Sequence, residues 1–409
     1  MKLVFHPISS HPLAAAAVAV HVGWRHEPPS LLGISHFLEH IHYLGSVRYP
    51  DVDKETARCG TEIDGPTLAE ATLFSFASLK EDFLRLLAVL LDMVYHPRFD
   101  GAAVERERQV VTGAVGRESD WTPWEWVRLK ADDLVFKADE LNSMGTEETL
   151  RAIRLEDLKE WQRRYYHEGN SHLLFAGDIE MDAIQDVLSE ADIPSGEERP
   201  QLWRHEHKGR SYQEIREGIH PELYAAFRFD PSASLLPYEL LAILLGNDAN
   251  SLLFKRLRQE NPLAYMVGSG LRLGSDAGRF GIYVGIAEAG HEEEVWMELY
   301  DLLTALKEDG PSEEELSWAK RVYRLNLSRK ASDPERMLSF WIEGASWDAP
   351  SSLERKLTEI DREQIRPLCR ELFLPRNCYI ALVGPSGEID IEQQWIEALA
   401  AWGALGSDQ

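Results

Sequence analysis

The chain has 409 residues and carries 43 Lys and Arg against 69 Asp and Glu, a formal net charge of −26. That balance argues against a nucleic-acid partner and against docking on a membrane of anionic lipid, because both need clustered cations. With 44% hydrophobic and 27% charged residues the composition is globular rather than disordered, and the length suits two or three domains.

The first long apolar run is Leu13 to Val22, too short to span a membrane. Pro7, Ser9, Ser10, His11 and Pro12 precede it, and Arg25-His26-Glu27 follows without a small-residue cleavage site. It reads as a buried strand rather than a leader. His36-Phe37-Leu38-Glu39-His40 comes next, among helix-period apolar residues. On a helix, His36 and His40 share one face a turn apart, so two imidazoles can hold one zinc ion. Glu39 reaches the same side as a carboxylate able to activate water. His42 points the other way and reads as a packing residue.

Phe83 to Val94 is a helix-period run, followed by Pro97 and a charged helix containing Val104. Leu155 to Tyr166 is amphipathic and leads into the strand Asn170 to Gly177. Both patterns recur. Asn377 to Gly384 repeats Asn170 to Gly177 at an offset of 207, and Val295 to Leu306 with Leu316 repeats the helical pair at an offset of 212. The chain therefore reads as a duplicated α+β fold, two homologous α/β-layered halves forming a clam-like cleft. We expect an N-terminal domain at 1–200, a linker at 201–215 within a polar stretch, and a C-terminal domain at 216–409. Three cysteines (Cys59, Cys369, Cys378) without a Cys-x-x-Cys pair suit a reducing, cytoplasmic setting.

Gly33 to Ser46, around His36 and His40, resembles the signature of the pitrilysin, insulinase and mitochondrial processing peptidase family of zinc metallopeptidases, the inverzincins. Gly60 to Phe74 resembles the family's segment for the peptide-binding edge strand, with Asp64, Gly65 and Thr67 at substrate positions. Leu257 to Tyr265 resembles the stretch carrying its Arg/Tyr pair, here Arg258 and Tyr265, a spacing of two helical turns if helix persists. The resemblance implies zinc on His36 and His40, water activation by Glu39, support from Glu107, and stabilisation of the oxyanion by Arg258 and Tyr265.

One departure stands out. The family draws its third zinc ligand, a Glu, from a downstream helix, and the register of Glu105-Arg-Glu-Arg-Gln-Val-Val-Thr-Gly-Ala114 puts Ala114 there. Glu118, one turn further, is the replacement carboxylate, displaced by about 6 Å. Pro66 is expected to remove a backbone donor from the substrate segment. Two readings follow. The first is a zinc-dependent metalloendopeptidase of peptides or unfolded segments, with Zn2+ held weakly or not at all. The alternative is a catalytically impaired peptide-binding or scaffolding subunit of a two-chain peptidase. A homodimer, or a heterodimer with a related chain, suits either.

Overall fold

The computed structural model describes residues 2–115, 121–205, 209–217, 219–343 and 348–385. The first half supplies β1 (Lys2–Pro7), β2 (Leu13–Val20), α1 (Ile34–Tyr43), α2 (Val52–Ala57), β3 (Thr72–Leu79), α3 (Lys80–Tyr95), α4 (Gly101–Gly113) and α5 (Pro123–Phe136). It continues with α6 (Glu147–Ala152), α7 (Leu155–Tyr165), β4 (Ser171–Gly177) and α8 (Met181–Glu190). The second half begins with β5 (Ser211–Ile215), β6 (Glu222–Phe229), α9 (Leu235–Gly246) and α10 (Leu252–Phe254), which runs into a π-helical turn at Lys255–Glu260. Then come β7 (Ala264–Leu273), β8 (Gly278–Ile286), α11 (Glu292–Glu308), α12 (Glu313–Ala331), α13 (Pro334–Glu343), α14 (Pro350–Glu359), α15 (Arg362–Leu372) and β9 (Cys378–Gly384).

The apolar run after Pro12 forms β2, where Ala14, Ala15 and Ala16 are wholly buried. Small side chains let helices approach the strand closely, and both α3 and α13 pack against it. The first sheet has the order β1-β4-β2-β3, and the second has β5-β9-β6-β8-β7. β4 lies between β1, to which it is parallel, and β2, to which it is antiparallel. β9 lies likewise between β5 and β6. These two strands are the 207-residue repeat, and each ends on its glycine, Gly177 or Gly384. The paired helices α3 with α11 and α4 with α12 begin 212 residues apart, so the duplication holds for helices as well as strands.

The chain forms two compact units that interleave in sequence. Unit 1 is Met1–Arg117, Asp139–Arg204 and Leu327–Ala349, and unit 2 is Glu118–Ala138, His205–Asn326 and Pro350–Gln409. The exchanged pieces are elements of each core. α5 packs against β6 and β9 within unit 2, while α13 packs against β2 and β4 within unit 1. Two local signals start α5: Pro123 at its first position, and a capping box in which Glu125 accepts from the Thr122 N–H at 3.0 Å.

An ionic cluster fastens α5 to its sheet. Asp132 is 1% exposed and accepts from Arg279 Nε at 2.7 Å, Arg272 Nη1 at 2.7 Å and Arg128 Nη1 at 2.8 Å. Burial alone would raise its pKa, but the guanidinium of Arg279, then those of Arg272 and Arg128, override this. They hold the carboxyl well below the usual carboxylate range. Among the described residues, no helix is long and apolar enough to cross a membrane. Cys59, Cys369 and Cys378 are all free thiols.

Candidate metal centre

α1 carries the two histidines, and its apolar residues Ile34, Phe37, Leu38 and Ile41 are fully buried. Burying that stripe fixes the rotation of the helix and leaves His36 and His40 together on a half-buried face. The N-terminus of α1 is set by Gly33 in the left-handed region (φ 87), where a Cβ would meet the Met144 carbonyl oxygen at 2.6 Å. Its free N–H groups are taken by Glu27, whose carboxylate accepts from Gly33 N at 2.6 Å and Ser35 N at 2.8 Å.

Glu27 had no local signature in the sequence, because its partners lie six and eight residues on. Burial pushes its pKa up to about 7 against an ordinary 4.5, and the N–H bonds oppose that only in part. The folded chain therefore holds a proton on Glu27 that the unfolded chain has lost between those two pH values. Its contribution to stability is fully present below pH 4.5 and falls away as pH rises toward 7. Chemical denaturation across that range is expected to show a shallower decline for Glu27→Gln than for the parent. Identical slopes would remove Glu27 as the source.

The two imidazoles converge. His36 Nε2 and His40 Nε2 are 3.2 Å apart, with ring planes at 85°. Two nitrogens on a tetrahedral zinc with bonds of about 2.0–2.1 Å stand about 3.3 Å apart, so the pair matches two corners of a zinc site. His40 Nδ1 lies 2.7 Å from Glu107 Oε1, a carboxylate that orients the ring and leaves Nε2 for the metal. His36 Nδ1 is buried with no well-formed hydrogen bond, although the Met144 carbonyl acts on it. Burial, then the neighbouring His40, lowers the His36 pKa to about 4, so the ring is neutral at pH 7, as a ligand must be.

Glu39 sits beside the pair and accepts from Thr67 Oγ1 at 2.6 Å. Burial raises its pKa to about 7, Asp64 adds to the rise, and the Thr67 hydroxyl and N–H counter it. Residues 61–67 lie along β3, with bridges Asp64 to Ser75 and Thr67 to Thr72. Asp64 exchanges both backbone bonds with Ser75, at 2.9 and 2.7 Å, so Ile63 and Gly65 turn their backbone groups to the open edge.

This corrects the expectation for Pro66. Its carbonyl accepts from Leu73 N at 3.1 Å, so the missing donor is on the side facing β3 and the open edge loses nothing. Gly65 is fixed by space, since a Cβ there would meet the Leu73 carbonyl oxygen at 2.1 Å. Its outward groups are engaged by Asp64 Oδ1 at 2.8 Å and by the Tyr43 hydroxyl at 3.4 Å.

Ala114 closes α4 as its C-cap and is exposed, and its methyl side chain offers no carboxylate there. Glu118 lies outside the described residues. Among the described residues no group of three His, Cys, Asp or Glu is placed to hold a metal. Among the described residues the donor set therefore fits zinc at two corners, without a third ligand. His42 is a core residue, wholly buried, with Nδ1 2.6 Å from the Leu38 carbonyl and Nε2 3.0 Å from Gln162 Oε1.

In unit 2, Arg258 lies on the π-helical turn with its guanidinium 5.1 Å from the Phe254 ring centre. The spacing to Tyr265 is not two helical turns. The helix stops at Glu260, and Tyr265 is the bulged residue near the start of β7. Its hydroxyl donates to Glu222 Oε1 at 2.6 Å, and Tyr283 donates to the other oxygen of the same carboxylate. Burial raises the Glu222 pKa, and the two hydroxyls pull it back.

Residues 4–124 match the family model described as insulinase (peptidase family M16), and residues 152–323 match that described as the peptidase M16 inactive domain. An uncharacterized zinc protease of Bacillus subtilis, YmxG, is 27% identical over 395 residues, covering 92% of this chain and 94% of the relative. Subunit beta of the mitochondrial-processing peptidase of Saccharomyces cerevisiae is 25% identical over 205 residues, covering 46% and 44%. A protease from Helicobacter pylori has a similar structure, with a TM-score of 0.81 at 17% identity over 93% of this chain and 96% of that one. A peptidase M16 inactive domain from Pseudomonas fluorescens gives 0.80 at 16% identity over 94% and 95%.

Proposed function

We propose, because this chain belongs to the insulinase family of peptidases (M16), that it is a zinc-dependent metalloendopeptidase of peptides or unfolded segments, with an atypical site in which Ala114 replaces the third ligand. The observation that carries this reading is the approach of His36 Nε2 to His40 Nε2 at 3.2 Å beside Glu39. His36 and His40 would hold zinc, with Glu107 orienting His40. Bound zinc supplies a Lewis acid that polarises the scissile carbonyl and acidifies water.

The chain's own groups do the rest. Glu39, a carboxyl poised near neutrality and steadied by Thr67, takes the proton of the attacking water. The edge at Ile63 and Gly65 would receive the peptide backbone as an added strand, once the outward groups of Gly65 leave the Asp64 carboxylate and the Tyr43 hydroxyl. Arg258 and Tyr265 would stabilise the oxyanion. For Tyr265 that requires its hydroxyl to leave Glu222 as substrate arrives.

A second reading is favoured by Ala114. With two nitrogens and no carboxylate ligand at position 114, the site would bind peptide without cutting it, as one subunit of a two-chain peptidase. The partner is then a related chain, and in the first reading a second copy suffices. The free thiols favour a cytoplasmic setting for both.

Zinc stoichiometry separates the two readings. We expect about one zinc per chain at neutral pH when zinc is supplied, lost in His40→Ala together with any chelator-sensitive peptide hydrolysis. Zinc near zero in the parent chain would favour the non-catalytic subunit.

A further inference from the structure

Within unit 2, Tyr265 lies in a place shaped around it. It is the unpaired residue of a β-bulge between Ala264 and Met266, and a bulge re-aims the side chain it carries. Its ring crosses β8 at Gly285, where a Cβ would meet Tyr265 Cε1 and Cζ at 2.6 Å and the hydroxyl oxygen at 2.9 Å. A glycine inside a strand marks such a close approach. Gly285 stands opposite Glu222 on β6, so a ring lying over the glycine brings its hydroxyl to the carboxylate. His220 flanks the same ring, with centroids 5.6 Å apart.

Glu222 is 3% exposed, and each of its oxygens accepts from one phenol, Tyr265 at 2.6 Å and Tyr283 at 2.5 Å. The two tyrosines differ in what holds them. Tyr283 is buried within β8, so packing fixes it whether or not the bond forms. Tyr265 is 39% exposed. What packing leaves undecided there, the charge-assisted bond to Glu222 decides.

We propose that Glu222 is a latch on Tyr265, a positioning residue whose carboxylate holds the ring down over Gly285 and sets how often the hydroxyl is available. The inference rests on the function proposed above only for what a released Tyr265 does. A buried carboxylate that loses one donor forfeits a hydrogen bond that water does not replace. Release therefore carries a cost that an arriving substrate must meet.

The test follows Tyr265 itself in the full-length chain supplied with zinc. The rate at which tetranitromethane nitrates each tyrosine is read by peptide mass spectrometry at pH 8. The reagent attacks the phenolate, and a phenol that donates to a carboxylate ionises reluctantly. Glu222→Gln replaces the charged acceptor by a neutral one. Gly285→Ala pushes the ring out without touching the carboxylate. Both should speed nitration of Tyr265 by about fivefold or more, because a hydrogen bond to a charged group is about twice as strong as a neutral one. Tyr283→Phe should leave the Tyr265 rate near that of the parent. Tyr224, buried on β6, should stay unreactive in every variant, which shows that the sheet is intact.

Equal Tyr265 rates in the parent, Glu222→Gln and Gly285→Ala would overturn the proposal. So would release by Tyr283→Phe equal to that by Glu222→Gln, since the cluster would then be packing alone. Where the chain hydrolyses peptide, kcat should rise in both unlatched variants. A fall in both would overturn the latch, because Glu222 would then present Tyr265 rather than withhold it. Faster nitration with hydrolysis unchanged or absent upholds the latch and defeats only the oxyanion role of Tyr265.

Discussion

Ala114→Glu is expected to tighten zinc binding by roughly a hundredfold. Structural zinc sites bind with about 10–16 kcal/mol spread over four ligands, so one charged ligand is worth at least about 2.5 kcal/mol, close to the ~2.8 kcal/mol of a hundredfold. The position is apt, because residue 114 is seven residues beyond Glu107 and so lies on the same face of the α4 register that meets His40. Competition against a zinc-selective chelator gives the affinity, and a quenched peptide gives the activity.

If hydrolysis appears or rises with zinc affinity, the chain has kept its geometry and lost only a ligand. Adding Glu39→Gln to that background should then lower the rate by about 10²- to 10⁴-fold with zinc retained. An unchanged zinc affinity in Ala114→Glu would mean that another carboxylate, Glu118 first among them, already completes the site.

Asp132→Ala should damage the fold severely, at about 3–5 kcal/mol. It leaves Arg279, 5% exposed and facing Arg272 and Arg128, with no counter-charge under α5. The native carboxyl is held below its ordinary pKa, so its contribution is present above that value and disappears as pH falls below about 4. Urea unfolding at neutral pH measures the loss, which should shrink when the comparison is repeated in acid. A cost below about 1 kcal/mol would show that water reaches the cluster and screens it.

What the sequence made legible was local or periodic. The His pair was readable because an i, i+4 spacing fixes two side chains on one helical face whatever surrounds them. The repeat was readable because β4 and β9 hold the same place in their sheets and so face the same constraints. Glu107 was found only through the family register, since nothing within its own helix points at His40. Pro66 misled because the side on which a strand residue pairs depends on its partner. That was set by Asp64 opposite Ser75, which no local pattern encodes. The Arg258 to Tyr265 spacing misled because the helix ends before Pro262, and the tyrosine joins a strand instead. Glu27 and Glu222 were missed for the same reason as Pro66, as their roles exist only across elements.

The interleaving of the two units bears on how the protein is made. A ribosome releases the chain from the N-terminus at about 5–20 residues per second, and domains normally fold as each is completed. Here the first sheet lacks α13 until residues 334–343 emerge, although all four of its strands are out by residue 177. The second sheet waits longer, because β9 belongs between β5 and β6 and occupies residues 378–384. Unit 1 lacks a part until residue 343 has emerged, and unit 2 until residue 384 has. The growing chain must therefore carry two unfinished sheets with exposed apolar faces. Nascent-chain proteolysis should find both units cleavable at lengths well past residue 204, the point where a linear two-domain protein would already have protected its first half.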